Sequence, residues 1–153
     1  MQLDRLDTRI LNALQHNARI SNLDLAKAVG LSPAQCLRRH RQLEEAGLIG
    51  QYETRLNAAA LGWTVVAFIH LSMERGHVRE LAKFRGELAD LPQVQECYSV
   101  TGDFDYVLKV TAQDLPALSR FLMNTLMQLP GVASVRSSVC MEEIKNSRLL
   151  PLG

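Results

Sequence analysis

The sequence predicts an α+β chain in two halves, three helices followed by a β-α-β-β-α-β run. Three observations predict it. Apolar residues recur at helical spacing from Leu3 to Leu48. Gly30 and Gly47 fall where helices in that stretch should end. After Gly47 the pattern changes to β-branched runs separated by two amphipathic segments.

Each element has a local cause. Leu6, Ile10 and Leu14 step by four, and Asp4 can cap a helix running to Asn17. Ser21 or Asn22 starts a second helix whose apolar face is Leu23, Leu25, Ala26 and Val29. Ser32 caps a third, with Pro33 at its first position. On that helix Cys36, Leu37, His40 and Leu43 are expected inside. Ala34, Gln35, Arg38, Arg39, Arg41 and Gln42 are expected outside. LIGQYETRL alternates, which fits a short wing hairpin or an extended linker. Strands follow at 64–73, 94–101, 106–112 and 132–144, and helices at 77–92, with Val78 on its apolar face, and 115–129. That order is the ferredoxin-like arrangement, with both helices on one sheet face. The other face carries Val66, Phe68, His70, Tyr98, Val100, Leu108 and Val110, an apolar set that calls for a second copy. The domains expected are 1–50 for the winged helix-turn-helix, 51–62 for the linker or hairpin and 63–153 for the ferredoxin-like unit.

Composition bounds the function. The chain has 153 residues, 47% hydrophobic and 22% charged, which argues for a packed core and against disorder. No run of about 18 apolar residues is present, so no membrane-spanning helix is expected. Asp4 and Asp7 stand where a signal peptide needs basic then apolar residues, which points to the cytoplasm. Cys36, Cys97 and Cys140 are an odd, scattered set, expected as reduced, buried thiols. Residues 1–60 carry 8 Lys/Arg against 6 Asp/Glu, an excess too small to establish nucleic-acid binding.

The outer face of the third helix suits the major groove, since Arg pairs with guanine and Gln with adenine. From spacing alone, a helical hairpin with a solvated basic face fits equally well. In TGDFDY, Asp103 and Asp105 suit an ammonium, a metal or a plain turn built on Gly102, and the turn is the commonest use. His16, His40, His70 and His77 form no ligand pair. No metal set, cofactor motif or catalytic nucleophile is found, so a cofactor and an enzymatic role are not expected.

The stretch ILNALQHNARISNLDLAKAVGLSPAQCLRRHRQLEEAGLI, followed by GQY, resembles the DNA-binding half of the Lrp/AsnC regulators. VQECYSVTGDFDYVLKV, then LPGVASVRSSVCMEEIK and a closing LPL, resembles their amino-acid-sensing half. The resemblance implies a transcription regulator that binds double-stranded operator DNA. It implies homodimers, joined into octamers or discs, and a free amino acid as effector. Carried over, Ser32, Ala34, Gln35, Arg38, Arg39 and Gln42 fall on the DNA-reading helix. Val100, Thr101, Gly102, Asp103, Asp105 and Tyr106 fall on the effector loop, and Ser138, Val139 and Cys140 on the last strand beside it. An effector-independent protein that wraps DNA is the alternative. The family usually has an aliphatic residue where His40 stands, and a threonine-rich stretch where Ser147-Arg148-Leu149 stands.

Overall fold

A computed structural model describes residues 2–76 and 80–152. Contacts divide the chain into two units, residues up to Arg55 with those from Lys145 onward, and Leu56–Ile144.

The first unit holds α1 (Arg5–His16), α2 (Asn22–Val29) and α3 (Pro33–Glu45). Their ends are fixed by side chains next to them in sequence. Asp4 caps α1 and closes a capping box with Asp7. Ser21 caps α2, and Gly30 ends it at φ 75°, a conformation that favours glycine. Ser32 and Gln35 form the capping box of α3, with Pro33 in its first turn. Ile10, Leu14, Leu25, Ala26, Val29, Cys36 and Leu43 are the buried core of this unit.

Leu37 is not part of that core; it is 38% exposed. Cys36 and Leu43 are seven apart and share a stripe, while Leu37 stands about 100° round from Cys36. Residues 48–57 form no strand, so the wing hairpin is absent. A lone segment has no second strand to pair its N–H and C=O groups with. The C-terminal residues from Lys145 pack with the helices rather than with the ferredoxin-like half to which the sequence assigned them. Gln15 Nε2 donates to Leu150 O at 3.0 Å and Gln15 Oε1 accepts from Leu150 N at 2.9 Å. Arg55 donates to Asn146 O at 3.2 Å, and Arg148 pairs with Glu53 at 3.1 Å.

The second unit holds β1 (Val65–Met73), α4 (Leu81–Ala89), β2 (Val94–Ser99), β3 (Tyr106–Ala112), α5 (Leu115–Asn124) and β4 (Val132–Val139). The sheet order β2-β3-β1-β4, antiparallel throughout, is the ferredoxin-like one. Alternation puts Ala67, Ile69, Leu71, Tyr106, Leu108 and Val110 on the buried side with Phe84, Leu118 and Phe121 from the helices. Leu108 and Val110, expected on the open side, are therefore core. Asp114 caps α5 by accepting from Ala117 N–H at 2.6 Å.

Three expectations here need correction. α5 ends at Asn124 because Thr125 leaves helical geometry, and a 3-10 turn follows. β4 ends at Val139, so Cys140 lies beyond the strand. Cys97 is exposed and Cys140 half-buried, and only Cys36 is buried. Cys97 sits on the edge strand β2, where a side chain has a neighbouring strand on one side only. His77 and Val78 lie outside the described residues.

Candidate DNA-reading helix and effector loop

The outer face of α3 opposes the Cys36–Leu43 stripe. Ala34, Gln35, Arg38, Arg41, Gln42 and Glu45 cover it, all exposed. Neither Arg38 nor Arg41 has an ion-pair partner among the described residues. Ser32 and Gln35 are engaged at the helix start. Ser32 Oγ accepts from Gln35 N–H at 3.3 Å, and Gln35 Oε1 accepts from Ser32 N–H at 3.3 Å and Oγ–H at 3.0 Å. Gln35 therefore points its amide nitrogen outward while its oxygen is held.

Arg39 does not belong to this face. Its Nη1 donates to Asp4 Oδ2 and Asp7 Oδ1, both at 2.7 Å, and its side chain is 23% exposed. The two carboxylates push its already high pKa higher, Asp7 contributing most. On the other flank of the stripe, His40 is half-buried against the Tyr52 hydroxyl.

The loop expected to meet the effector is the β2–β3 turn. Gly102 sits at φ 115°, with nothing within 4 Å of where a Cβ would be, so backbone conformation and not space calls for glycine. Thr101, Gly102, Asp103 and Asp105 are exposed, and Val100 is 37% exposed. Asp105 ties the loop to the end of β1. Its N–H donates to Leu71 O at 2.9 Å, and its Oδ2 accepts from Met73 N–H at 2.7 Å. Val100 N–H donates to Asp105 O at 3.0 Å.

Not all the expected effector residues come together. Tyr106 is on the buried side, its ring 5.0 Å from that of Phe84, so its side chain is core. Ser138 pairs with Phe68 and Val139 with Ala67, whereas the loop meets β1 at Leu71 and Met73. Three to six residues of strand separate them, about 10–20 Å. The β4 residue beside the loop is Arg136, opposite His70. Phe104 lies between them, 4.8 Å from the His70 ring and 5.5 Å beneath the Arg136 guanidinium. His70, Phe104 and Arg136 are the residues that sequence reasoning missed. The one signal was Arg136 as the only charge in VASVRSSV.

Among the described residues no three His, Cys, Asp or Glu side chains gather as metal ligands. A cleft in the first unit, between α1, residues 48–55 and the C-terminal segment, is lined by apolar groups such as Leu11, Leu14, Tyr52 and Leu149. It includes no residue of the α3 outer face.

The AsnC-type helix-turn-helix model matches residues 3–44, and the Lrp/AsnC ligand binding domain model matches residues 66–150. The chain belongs to the Lrp/AsnC family. The family match selects the helix-turn-helix over the plain helical hairpin, and the chain is a DNA-binding transcriptional regulator with a ligand-binding half. It is 44% identical over 148 residues to the Leucine-responsive regulatory protein of Salmonella typhimurium, covering 97% of this chain and 90% of that one. Two solved Lrp/AsnC-like regulators share its fold. A transcriptional regulator of Neisseria meningitidis, solved with L-Met, superposes with a TM-score of 0.95 at 37% identity, covering 99% of this chain and 97% of that one. An AsnC family regulator of Agrobacterium tumefaciens gives 0.92 at 33% identity, covering 98% and 97%. No helix among the described residues is long and apolar enough to cross a membrane.

Proposed function

We propose that this regulator reads operator DNA through α3 and answers to a free amino acid bound at the β2–β3 loop. One observation carries the DNA half of this reading. The outer face of α3 is exposed, with Arg38 and Arg41 unpaired among the described residues and Ala34 leaving room for close approach. Arg38 and Gln42 are the base-reading side chains, and Gln35 adds its amide nitrogen. Ser32, at the helix start, lies where a phosphate meets the N-terminal dipole. Operator binding implies a cytoplasmic protein.

At the loop, Asp103 and Asp105 receive the α-ammonium, and exposed backbone at Thr101 and Gly102 meets the carboxylate. Arg136, over the Phe104 ring, adds a cation. The L-Met complex of the Neisseria regulator supports an amino acid as effector. Ser138, Val139 and Cys140 join this site only from a second copy. The open sheet face supports such a copy, since Phe68 is 42% and Tyr98 58% exposed. The assembly is a homodimer joined into an octamer. The effector controls DNA binding by preferring one assembly geometry, a coupling of about 1–3 kcal/mol.

The test is thermal melting against each of the twenty amino acids at millimolar concentration. A ligand at a hundred times its Kd adds about 2.7 kcal/mol, a shift of about 5–10 °C. A shift with one or a few amino acids is expected. No shift with any, together with no preference for operator over competitor DNA, sinks the reading in favour of DNA wrapping without an effector.

A further inference from the structure

Arg39 is the only cation on α3 that turns toward α1. It stands about 60° from Cys36 round the helix, at the edge of the buried stripe. Its Nη1 gives one hydrogen to Asp4 Oδ2 and one to Asp7 Oδ1, each at 2.7 Å. The receiving carboxylates are themselves held. Asp4 Oδ1 accepts from Leu6 N–H and Asp7 N–H at 2.8 Å each, and Asp7 Oδ2 accepts from Asp4 N–H at 3.2 Å. All four carboxylate oxygens are engaged, so Arg39 docks on a rigid point, the capping box that starts α1.

The apolar packing of Cys36 and Leu43 keeps α3 attached, but such packing is non-directional and tolerates rotation. Charge-assisted hydrogen bonds are directional, and the one-nitrogen bridge fixes α3 about its own axis. A turn of the helix would move every base-facing side chain together.

We propose that Arg39 is a positioning residue for base readout and not a DNA contact. By bridging Asp4 and Asp7 it sets the angle at which Ala34, Gln35, Arg38 and Gln42 meet the groove. This rests on the assignment of α3 as the reading helix.

The two roles predict opposite signs at Asp7. If Arg39 held a phosphate, Asp7→Asn would release it and tighten binding. If Arg39 positions α3, Asp7→Asn loosens the dock and lowers discrimination even though it removes a negative charge. Salt dependence separates the roles again, because taking one cation away from a phosphate lowers the slope of log K against log salt by about 0.9. The experiment measures operator and competitor affinity across a salt series for the full chain and for Arg38→Gln, Arg39→Gln, Arg39→Lys and Asp7→Asn. Melting curves identify any variant that does not fold. Arg39→Lys, which keeps a cation near one carboxylate, stands in if Arg39→Gln fails to fold.

Arg39→Gln and Asp7→Asn are each expected to lower the operator-over-competitor ratio about tenfold, as losing register on one base pair does, with the slope unchanged. Arg39→Lys should recover part of the ratio. A slope lower by about 0.9 per bound subunit in Arg39→Gln, or tighter operator binding in Asp7→Asn, overturns the proposal. Arg38→Gln is the control. A change in ratio or slope there, with Arg39 behaving as a phosphate ligand, overturns the Arg39 role alone. No operator preference in the unaltered chain overturns the α3 assignment and this proposal with it.

Discussion

His40 Nε2 lies 2.6 Å from the Tyr52 hydroxyl, and that hydroxyl donates to Glu44 Oε1 at 2.8 Å. A tyrosine has one hydroxyl hydrogen, and here it goes to Glu44. The hydrogen between His40 and Tyr52 must therefore sit on His40 Nε2. Glu44 is one turn beyond His40 on α3, 3.6 Å from the same nitrogen. The three groups join α3 to the segment after it, on the flank opposite Arg39.

The chain from His40 to Glu44 makes an alkaline prediction. Burial, then the hydrogen bond and charge of Glu44, push Tyr52 up to about 12 from 10.0. A group raised in the folded state favours folding while it stays protonated. Its contribution is whole below pH 10 and is lost as pH rises toward 12. Tyr52 is 49% exposed, so screening reduces the effect to about 1 kcal/mol. Ultraviolet titration should show one phenol ionising near pH 12, absent in Tyr52→Phe. An unchanged titration curve in Tyr52→Phe refutes the assignment.

The acid limb involves the other flank. The backbone N–H of Asp7 is the largest influence on Asp4 and, with Arg39, outweighs burial to hold its carboxyl below the ordinary 3.8. A lowered pKa favours folding above the unfolded value and is lost as pH falls through the folded one. Stability should therefore fall as pH drops below about 4, and fall less steeply in Asp4→Asn, which has no charge to lose. Melting temperatures between pH 2 and 6 test this. Parallel curves for the two proteins remove Asp4 from the acid transition.

The first-half helices were legible because their signals are local. Asp4, Ser21, Ser32, Pro33 and Gly30 act within a few residues of themselves, so their neighbours in sequence are also their partners. The β-α-β-β-α-β order followed from runs whose periodicity needs no long-range knowledge. Arg39 leaves the outer face because Cys36 and Leu43, and not Leu37, define the buried stripe. The Arg136–Phe104–His70 group depends on strand register, which pairs residues 70 and 136. Neither residue's neighbourhood in sequence contains that pairing. The C-terminal segment left no trace because its bonds to Gln15 and Arg55 run through its backbone, which every sequence shares.

That segment gives the third prediction. Gln15 pairs with both the N–H and the C=O of Leu150, and Asn12 Nδ2 reaches Leu152 O at 3.4 Å. Gln15→Ala leaves Leu150 without either side-chain bond. These groups are partly exposed and water replaces part of the loss, so the cost is about 1 kcal/mol, or about 2–4 °C in Tm. Limited proteolysis should cut after Lys145 faster in Gln15→Ala than in the unaltered chain. Equal rates would show that Leu149 and the Arg148–Glu53 pair hold the segment without Gln15.

The Asp105 carboxylate has one structural task and one proposed task, which a single variant separates. Oδ2 holds Met73 N–H at 2.7 Å, which fixes the end of β1, and the charge is assigned to the effector ammonium. Asp105→Ala removes both, so a lost response in that variant says nothing about charge. Asp105→Asn keeps an oxygen that can accept from Met73 N–H and leaves the backbone bond to Leu71 O in place. Only the charge goes. A hydrogen bond to a charged group is worth about 1.5–3 kcal/mol, so effector affinity should fall about ten- to hundredfold. Operator affinity without effector should stay as it was. Calorimetric titration with the amino acid found by melting, alongside operator binding, reads both quantities. Unchanged effector affinity in Asp105→Asn moves the ammonium to Asp103, for which Asp103→Asn is the matching test.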